Sequence, residues 1–299
     1  MSSGCPYTAT VKWYTSFESV PLVTSLGASV RALTVVEPVH DRHNYLSAEA
    51  HVLDTLVWLP FLALQFALGA YLERRARAAG ALVRVQATAR SWICVAMAAV
   101  LVGCLVFSTI SKYQRSHREV ALMLAPCHTN TAILVYVLLT SDAERGAWWY
   151  NIVTYLSFFT VLALAVPDLA GVTPLGVVVF WVHHWTLVLA PAYLYWTDRY
   201  PLWCHQTWAF YWQASGLLGG LGCFVVHQLA SLTFSVNVNY MLHPPPGQPI
   251  QGRLYLYGLA SAIMFLGLVT GHLLPRVIHR FLVVNKRYTY GPQKSLKRE

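Results

Sequence analysis

The sequence predicts an all-α fold, a polytopic integral membrane protein built as a bundle of seven transmembrane helices. Three observations carry this. Hydrophobic residues make up 56% of the chain. Charged residues make up only 11%, about half the share usual in soluble domains. The mean hydropathy is +0.47, and seven apolar runs approach the ~20 residues that an α-helix needs to cross a bilayer.

The runs fall at roughly 50–71, 91–110, 119–140, 148–167, 175–196, 208–233 and 253–275. Their connections are short and carry turn residues, such as Asp168–Gly171 and Pro244–Pro246. Residues 1–48 read as an N-terminal flank, 49–282 as the seven-helix membrane domain and 283–299 as a basic tail. Within the flank, residues 20–36 are apolar but interrupted by Arg31, as in an interfacial segment. The start lacks a basic region followed by a compact apolar core, so no cleavable signal peptide is expected, and the first span is expected to act as the targeting signal.

The net charge of +9 is concentrated in two places. Arg74, Arg75, Arg77, Arg84 and Arg90 follow the first span. Arg276, Arg280, Lys286, Arg287, Lys294, Lys297 and Arg298 follow the last. With seven spans both clusters lie on one side, which the positive-inside bias makes cytoplasmic, with the N-terminus lumenal or outside. Basic clusters beside apolar runs belong to membrane surfaces, and no nucleic-acid-binding signature accompanies them, so nucleic acid is excluded as a partner. The six cysteines form no CxxC pair, which argues against a disulfide framework.

Polar side chains inside spans are costly and mark function. The third run opens with Pro126-Cys127-His128-Thr129-Asn130-Thr131. Entered from the lumenal side near Glu119, this run places Cys127 about 12 Å deep at the helical rise. His184, entered from Leu175, falls about 13 Å deep, and His227 lies shortly before the lumenal end of the sixth run. Three reactive side chains on three helices thus share a depth. A cysteine among apolar neighbours is inert unless a base takes its proton; paired with imidazole it forms the thiolate–imidazolium couple used in acyl transfer. Cys127 with His184 can form that couple if their helices adjoin. His227 or Asn237 could then orient the imidazole or bind an oxyanion. Pro126 and Pro191 each remove an amide donor and free a carbonyl four residues earlier, at Leu122 and Leu187. Adjacent on a helix, His183 and His184 diverge by about 100°, so at most one of them can face the site and the other is expected to pack or bond to a neighbouring helix. Asp54 reads as an interfacial residue, and His272 lies toward the other side. Cys127, His184 and His227 include metal-ligand types, but without motif spacing no metal is expected, and no cofactor. Packing for the cysteine and interhelical hydrogen bonding for the histidines remain open alternatives, as does a transporter, channel or receptor. A transport path would call for charged residues at midspan, and acidic residues there are nearly absent.

Four blocks resemble the transmembrane protein 164 family. Leu124-Ala125-Pro126-Cys127-His128 is similar to its Asn-Pro-Cys-His element, with Ala125 in place of asparagine. His184 and Pro191 in HWTLVLAPAYL resemble its histidine-to-proline segment. Val236-Asn237-Val238-Asn239-Tyr240-Met241-Leu242 resembles its Val-Asn-Leu-Asn-Asn-Met-Leu, and a weaker similarity runs along the last span. The resemblance implies a cysteine-dependent phospholipid acyltransferase of the endoplasmic reticulum or another endomembrane. It would move a polyunsaturated acyl chain from a diacyl phospholipid to a lyso ether-phospholipid. Cys127 would be the nucleophile and His184 its base. His128, Asn130, His227, Asn237 and Asn239 are candidate supporting or substrate-binding residues. A lipid hydrolase using the same pair is the nearest alternative.

Overall fold

In the computed structural model, the described residues are 20–33, 48–83, 85, 91–169, 171–234, 236–241 and 252–277. Among them the fold is helical, without strands. A short helix α1 (Pro21–Leu33) precedes α2 (Ala48–Ala78), α3 (Trp92–Arg115), α4 (Pro126–Leu139), α5 (Ala143–Ala165) and α6 (Pro174–Trp196). A further helical run holds α7 (Ala209–Ala214), a π-wound stretch (Ser215–His227) and α8 (Gln228–Phe234); α9 (Gly252–Leu268) closes the described chain with a π turn over Val269–Leu273.

Among the described residues five helices are long and apolar enough to cross a membrane: Glu49–Ala78, Trp92–Arg115, Ala143–Ala165, Pro174–Trp196 and Tyr255–Val277. Among the described residues a bent pair makes a sixth candidate crossing, the 3₁₀ segment His117–Leu124 followed by α4, with a 62° angle between them. An all-α polytopic membrane protein is what the sequence predicts, and two of the seven expected runs are not uniform helices. The run expected at 119–140 is broken, and the run expected at 208–233 is wound in three successive ways. At 13 residues, α1 is shorter than a bilayer crossing.

The exterior of the bundle is apolar. Leu64, Trp92, Leu175 and Phe265 are each at least 60% exposed, which is tolerable only against lipid. The protein is thus an integral membrane protein. Its main core joins α3, α4, α5 and α6 through Leu101, Leu134, Ile152 and Leu187, and the 200–214 segment adds Trp203 and Phe210. A second cluster brings Leu62 of α2 against Phe158, Phe224 and the α9 residues Leu256, Ala260 and Ile263.

Small residues allow α2 to approach the 209–216 helix closely. A Cβ at Gly69 would lie 2.6 Å from the Ala209 carbonyl oxygen, and one at Gly216 would lie 2.6 Å from that of Leu62. Helix α2 runs on past the expected end of its span, so Arg74, Arg75 and Arg77 belong to its final turns rather than to a loop. Glu73 is the reason that end is firm. It accepts hydrogen bonds from Arg77 Nε (2.8 Å), Trp148 Nε1 (3.1 Å) and Gln213 Nε2 (2.7 Å). Arg77 also pairs with Glu144 at 3.0 Å. Nearby, buried Asn151 donates to the carbonyls of Ala147 and Pro201 and accepts from Trp203 N–H.

The reading of one lone polar residue changes. Asp54 is fully buried and accepts a 3.0 Å hydrogen bond from Tyr257 OH, so it is an interhelical contact rather than an interfacial residue. His272, expected away from Cys127, is buried with its ring tilted against that of Trp208 at 3.8 Å and 3.2 Å from Tyr155 OH.

Candidate functional site

The break before α4 determines how Cys127 is presented. A residue preceding proline is driven from the α region toward extended backbone, and Ala125 sits at φ −53°, ψ 147°. The 3₁₀ segment therefore ends at Leu124. Proline is favoured at the first helical position, where its missing N–H is no loss, and Pro126 starts α4. Cys127 is consequently the second residue of a new helix, not a residue eight positions into a continuous one. The Leu122 carbonyl, expected to be free, is taken by Ala125 N–H at 3.1 Å. The Ala125 carbonyl closes the first turn by accepting from His128 and Thr129 N–H. A helix N-terminus carries a partial positive charge from its unpaired N–H groups, which favours a thiolate.

Helices α4 and α6 adjoin. Thr131, one turn below Cys127, donates its hydroxyl hydrogen to the Cys127 carbonyl at 2.7 Å. Its oxygen also lies 2.6 Å from His183 Nε2. A hydroxyl has one proton, so His183 Nε2–H is the donor in the second bond. The His128 ring stacks 5.5 Å from that of His183, which in turn meets the His184 ring edge-on at 5.0 Å. The two adjacent α6 histidines therefore divide their roles. His183 holds α4, and His184 packs on Phe180 at 4.1 Å and donates Nδ1–H to the Phe180 carbonyl at 2.8 Å. That bond fixes the tautomer and leaves the His184 Nε2 lone pair as an acceptor. Among the described residues no histidine nitrogen is in hydrogen-bond contact with the Cys127 sulfur. His184 lies in the same imidazole cluster but is not paired with the thiol.

His227, the last π-wound residue, donates from Nε2 to the Leu124 carbonyl at 2.7 Å. It thereby clamps the backbone at the break rather than orienting an imidazole. The Asn237 segment closes over the same place. Val238 is fully buried against Ala121 and Ala230, and its N–H donates to Ser231 Oγ at 3.0 Å. The side chain of Asn239 lies outside what is described. Asn130 is 1% exposed, and neither end of its amide has a hydrogen-bond partner; His128 Nδ1 and His227 Nδ1 are likewise buried and unpaired. Such orphan polar atoms are costly and call for an explanation. His128 and Asn130 follow Cys127 within three residues on α4, and His227 holds the Leu124 carbonyl just before the break.

Lys112 is the neighbour that sequence reasoning missed. It stands in the last turn of α3, partly buried, within electrostatic reach of Cys127 and His128. Among the described residues, no group of three His, Cys, Asp or Glu side chains could hold a metal ion.

Comparison with known proteins places this arrangement in a lineage. The chain is 32% identical over 197 residues to "Transmembrane protein 164 homolog" of Dictyostelium discoideum, covering 63% of this chain and 70% of that protein. No solved structure matches. The TMEM164 family model matches residues 45–273, a stretch holding the broken span, both α6 histidines, His227 and the Asn237 segment. The chain belongs to the TMEM164 family.

Proposed function

We propose that this protein is a phospholipid acyltransferase that works through a cysteine thioester. One observation carries the reading: Cys127 opens a helix inside the membrane domain, behind a proline-induced break, within a cluster of buried imidazoles. The helix N-terminus favours the thiolate, and His184, with its Nε2 lone pair directed by the Phe180 carbonyl, is the base.

In the first half-reaction the Cys127 proton passes to His184 Nε2, and the sulfur attacks the sn-2 ester carbonyl carbon of a diacyl phospholipid. The ester C–O bond breaks, the departing glycerol oxygen takes the proton back from the imidazolium, and an acyl thioester and a lysophospholipid result. In the second half-reaction His184 deprotonates the hydroxyl of an acceptor lysophospholipid, in this proposal an ether lipid. Its oxygen attacks the thioester carbonyl, the C–S bond breaks, and the thiolate is restored. Catalytic hydrogen bonds often tighten only once substrate is seated, and that is the step that must bring His184 to the sulfur. A site walled by apolar helices excludes water and so favours transfer over hydrolysis. The proposed setting is the endoplasmic reticulum or another endomembrane, with the pocket in the lumenal leaflet.

The test uses the full chain in liposomes, a donor labelled in its sn-2 chain and an added lyso ether-phospholipid. Label should pass to the acceptor, and wild-type protein should carry a thiol-labile acyl adduct by intact mass. Cys127→Ser and Cys127→Ala should lose both while keeping the wild-type melting temperature. Equal activity in wild type and folded mutants would refute the nucleophile. Label released only as free fatty acid would make the enzyme a hydrolase.

A further inference from the structure

Asn130 stands at a core position without the chemistry of a core residue. On α4, Cys127, Asn130, Thr131, Leu134, Val137 and Leu138 follow at helical intervals of three and four, so they share one stripe. Thr131, Leu134, Val137 and Leu138 are fully buried, and Leu134 packs in the main core with Leu101, Ile152 and Leu187. Asn130 is 1% exposed in that stripe, and neither Nδ2 nor Oδ1 has a hydrogen-bond partner. An asparagine that joins membrane helices bonds across to a neighbour; this one does not. An apolar side chain would fill the same place without leaving donors unpaired.

Helix geometry sets its distance from the thiol. Each Cα–Cβ bond of an α-helix tilts toward the N-terminus, so a side chain covers the turn before its own. For Asn130 that turn holds Cys127, with about 5–6 Å between Cβ atoms at this spacing. The same turn has a second unpaired donor. Pro126 has no N–H, and the N–H groups of His128 and Thr129 close on the Ala125 carbonyl at 3.0 and 3.1 Å. Among the described residues the Cys127 N–H has no acceptor. The neighbouring donors are spent: the Thr131 hydroxyl on the Cys127 carbonyl, His183 Nε2–H on Thr131, and His227 Nε2–H on the Leu124 carbonyl. We infer, resting on the acyltransferase reading, that the Cys127 N–H and Asn130 Nδ2 form the oxyanion hole of this site, which makes Asn130 a catalytic residue. As the Cys127 sulfur bonds to the sn-2 carbonyl carbon, the carbonyl π pair moves onto oxygen, and the two N–H donors receive that alkoxide. The pair returns when the ester C–O bond breaks and the thioester carbonyl forms; attack by the acceptor hydroxyl repeats the sequence until the C–S bond breaks. The donors strengthen as charge develops on the oxygen, so they act on kcat more than on KM.

The test uses the full chain in detergent micelles and a phospholipid analogue whose sn-2 ester is replaced by a trifluoromethyl ketone. The Cys127 sulfur adds to that ketone and, with no leaving group, the adduct stops at the tetrahedral alkoxide, which fluorine NMR detects. Wild type is compared with Asn130→Leu and Asn130→Ala, two side chains of different bulk that both lack the donor. Maleimide alkylation of Cys127, followed by peptide mass, reports whether the thiol is still presented. Both variants should bind the ketone about 100-fold more weakly and lose about 100-fold in kcat, with KM and the alkylation rate close to wild type. Should Asn130→Ala fail to fold, Asn130→Leu decides, since it fills the space and strands no polar atom. Wild-type kcat and ketone affinity in Asn130→Leu would overturn the oxyanion hole while acyl transfer by both proteins upholds the acyltransferase reading. A loss confined to Asn130→Ala would overturn it as well, by assigning Asn130 to packing, and so would a fall in kcat matched by an equal fall in alkylation rate. If wild type forms no ketone adduct and transfers no acyl chain, the acyltransferase reading falls and the oxyanion hole falls with it.

Discussion

At the scale of the residue, Asn130 separates stability from chemistry. Its amide is buried with neither end bonded. Replacing such a group by an apolar one of similar shape removes a desolvation penalty. Asn130→Leu should therefore leave the protein as stable as wild type or about 1 kcal/mol more so. If Asn130 meets the ester or its oxyanion, acyl transfer should fall at least ~100-fold in the same variant. Thermal unfolding and sn-2 transfer, measured side by side, decide it; loss of stability with activity intact would make Asn130 a structural residue. His184 makes the complementary case. His184→Gln removes the base but not the bulk, and should lower kcat by roughly 10²–10⁴-fold with little change in melting. His183→Gln should instead act mainly on stability, because His183 is spent on Thr131.

At the scale of the element, the break at Ala125 is what makes an intramembrane cysteine a helix-start residue. Pro126 imposes it from both sides, by restricting Ala125 and by starting α4. Pro126→Ala relaxes the first restriction and lets the 3₁₀ segment and α4 merge toward one helix. Transfer should fall about tenfold or more, whereas unfolding should shift only by the ~0.4–1 kcal/mol typical of a released proline. His227→Ala frees the Leu124 carbonyl on the same hinge and should cost about 1 kcal/mol and a similar share of activity. Unchanged transfer in both variants would mean that the bend is incidental.

The sequence made parts of this element legible and hid others. Pro126 and the polar patch behind it announced an irregularity. The 3₁₀ lead-in was not visible, because HREVALML is made of ordinary helix formers. Which α6 histidine turns toward α4 depends on the rotation of a helix that is apolar nearly all round, so periodicity could not assign His183 to Thr131. Asp54 looked interfacial because its position along the chain says nothing of Tyr257, some two hundred residues away. Lys112 was hidden for a similar reason: a charge count records its sign but not its neighbour.

At the scale of the molecule, two polar groupings at opposite ends of the bundle differ in how fully their members are bonded. In the grouping of Glu73, Arg77, Glu144, Trp148 and Gln213 the hydrogen bonds and ion pairs interlock, and only Gln213 Oε1 is left buried without a partner. The end that gathers Cys127, His128, Asn130 and His227 keeps orphan atoms. Stability should therefore be concentrated at the first and reactivity at the second, so that substitutions at the two ends give opposite signatures. Glu73→Leu strands the Trp148 and Gln213 donors and removes one partner of Arg77. Two stranded donors at ~1–3 kcal/mol each, with the Arg77 loss discounted for its 38% exposed side chain, put the cost at about 3 kcal/mol. Glu73→Gln retains an acceptor and should cost about 1 kcal/mol. The protein that remains folded in either variant should transfer acyl chains at the wild-type rate per molecule, because nothing at that end touches Cys127. Unfolding midpoints in detergent, read with specific activity of the folded fraction, test this directly. A Glu73 variant that keeps its midpoint but loses turnover would show that the two ends are coupled through α2 and the 209–234 helix, and that the site is held open by the far network.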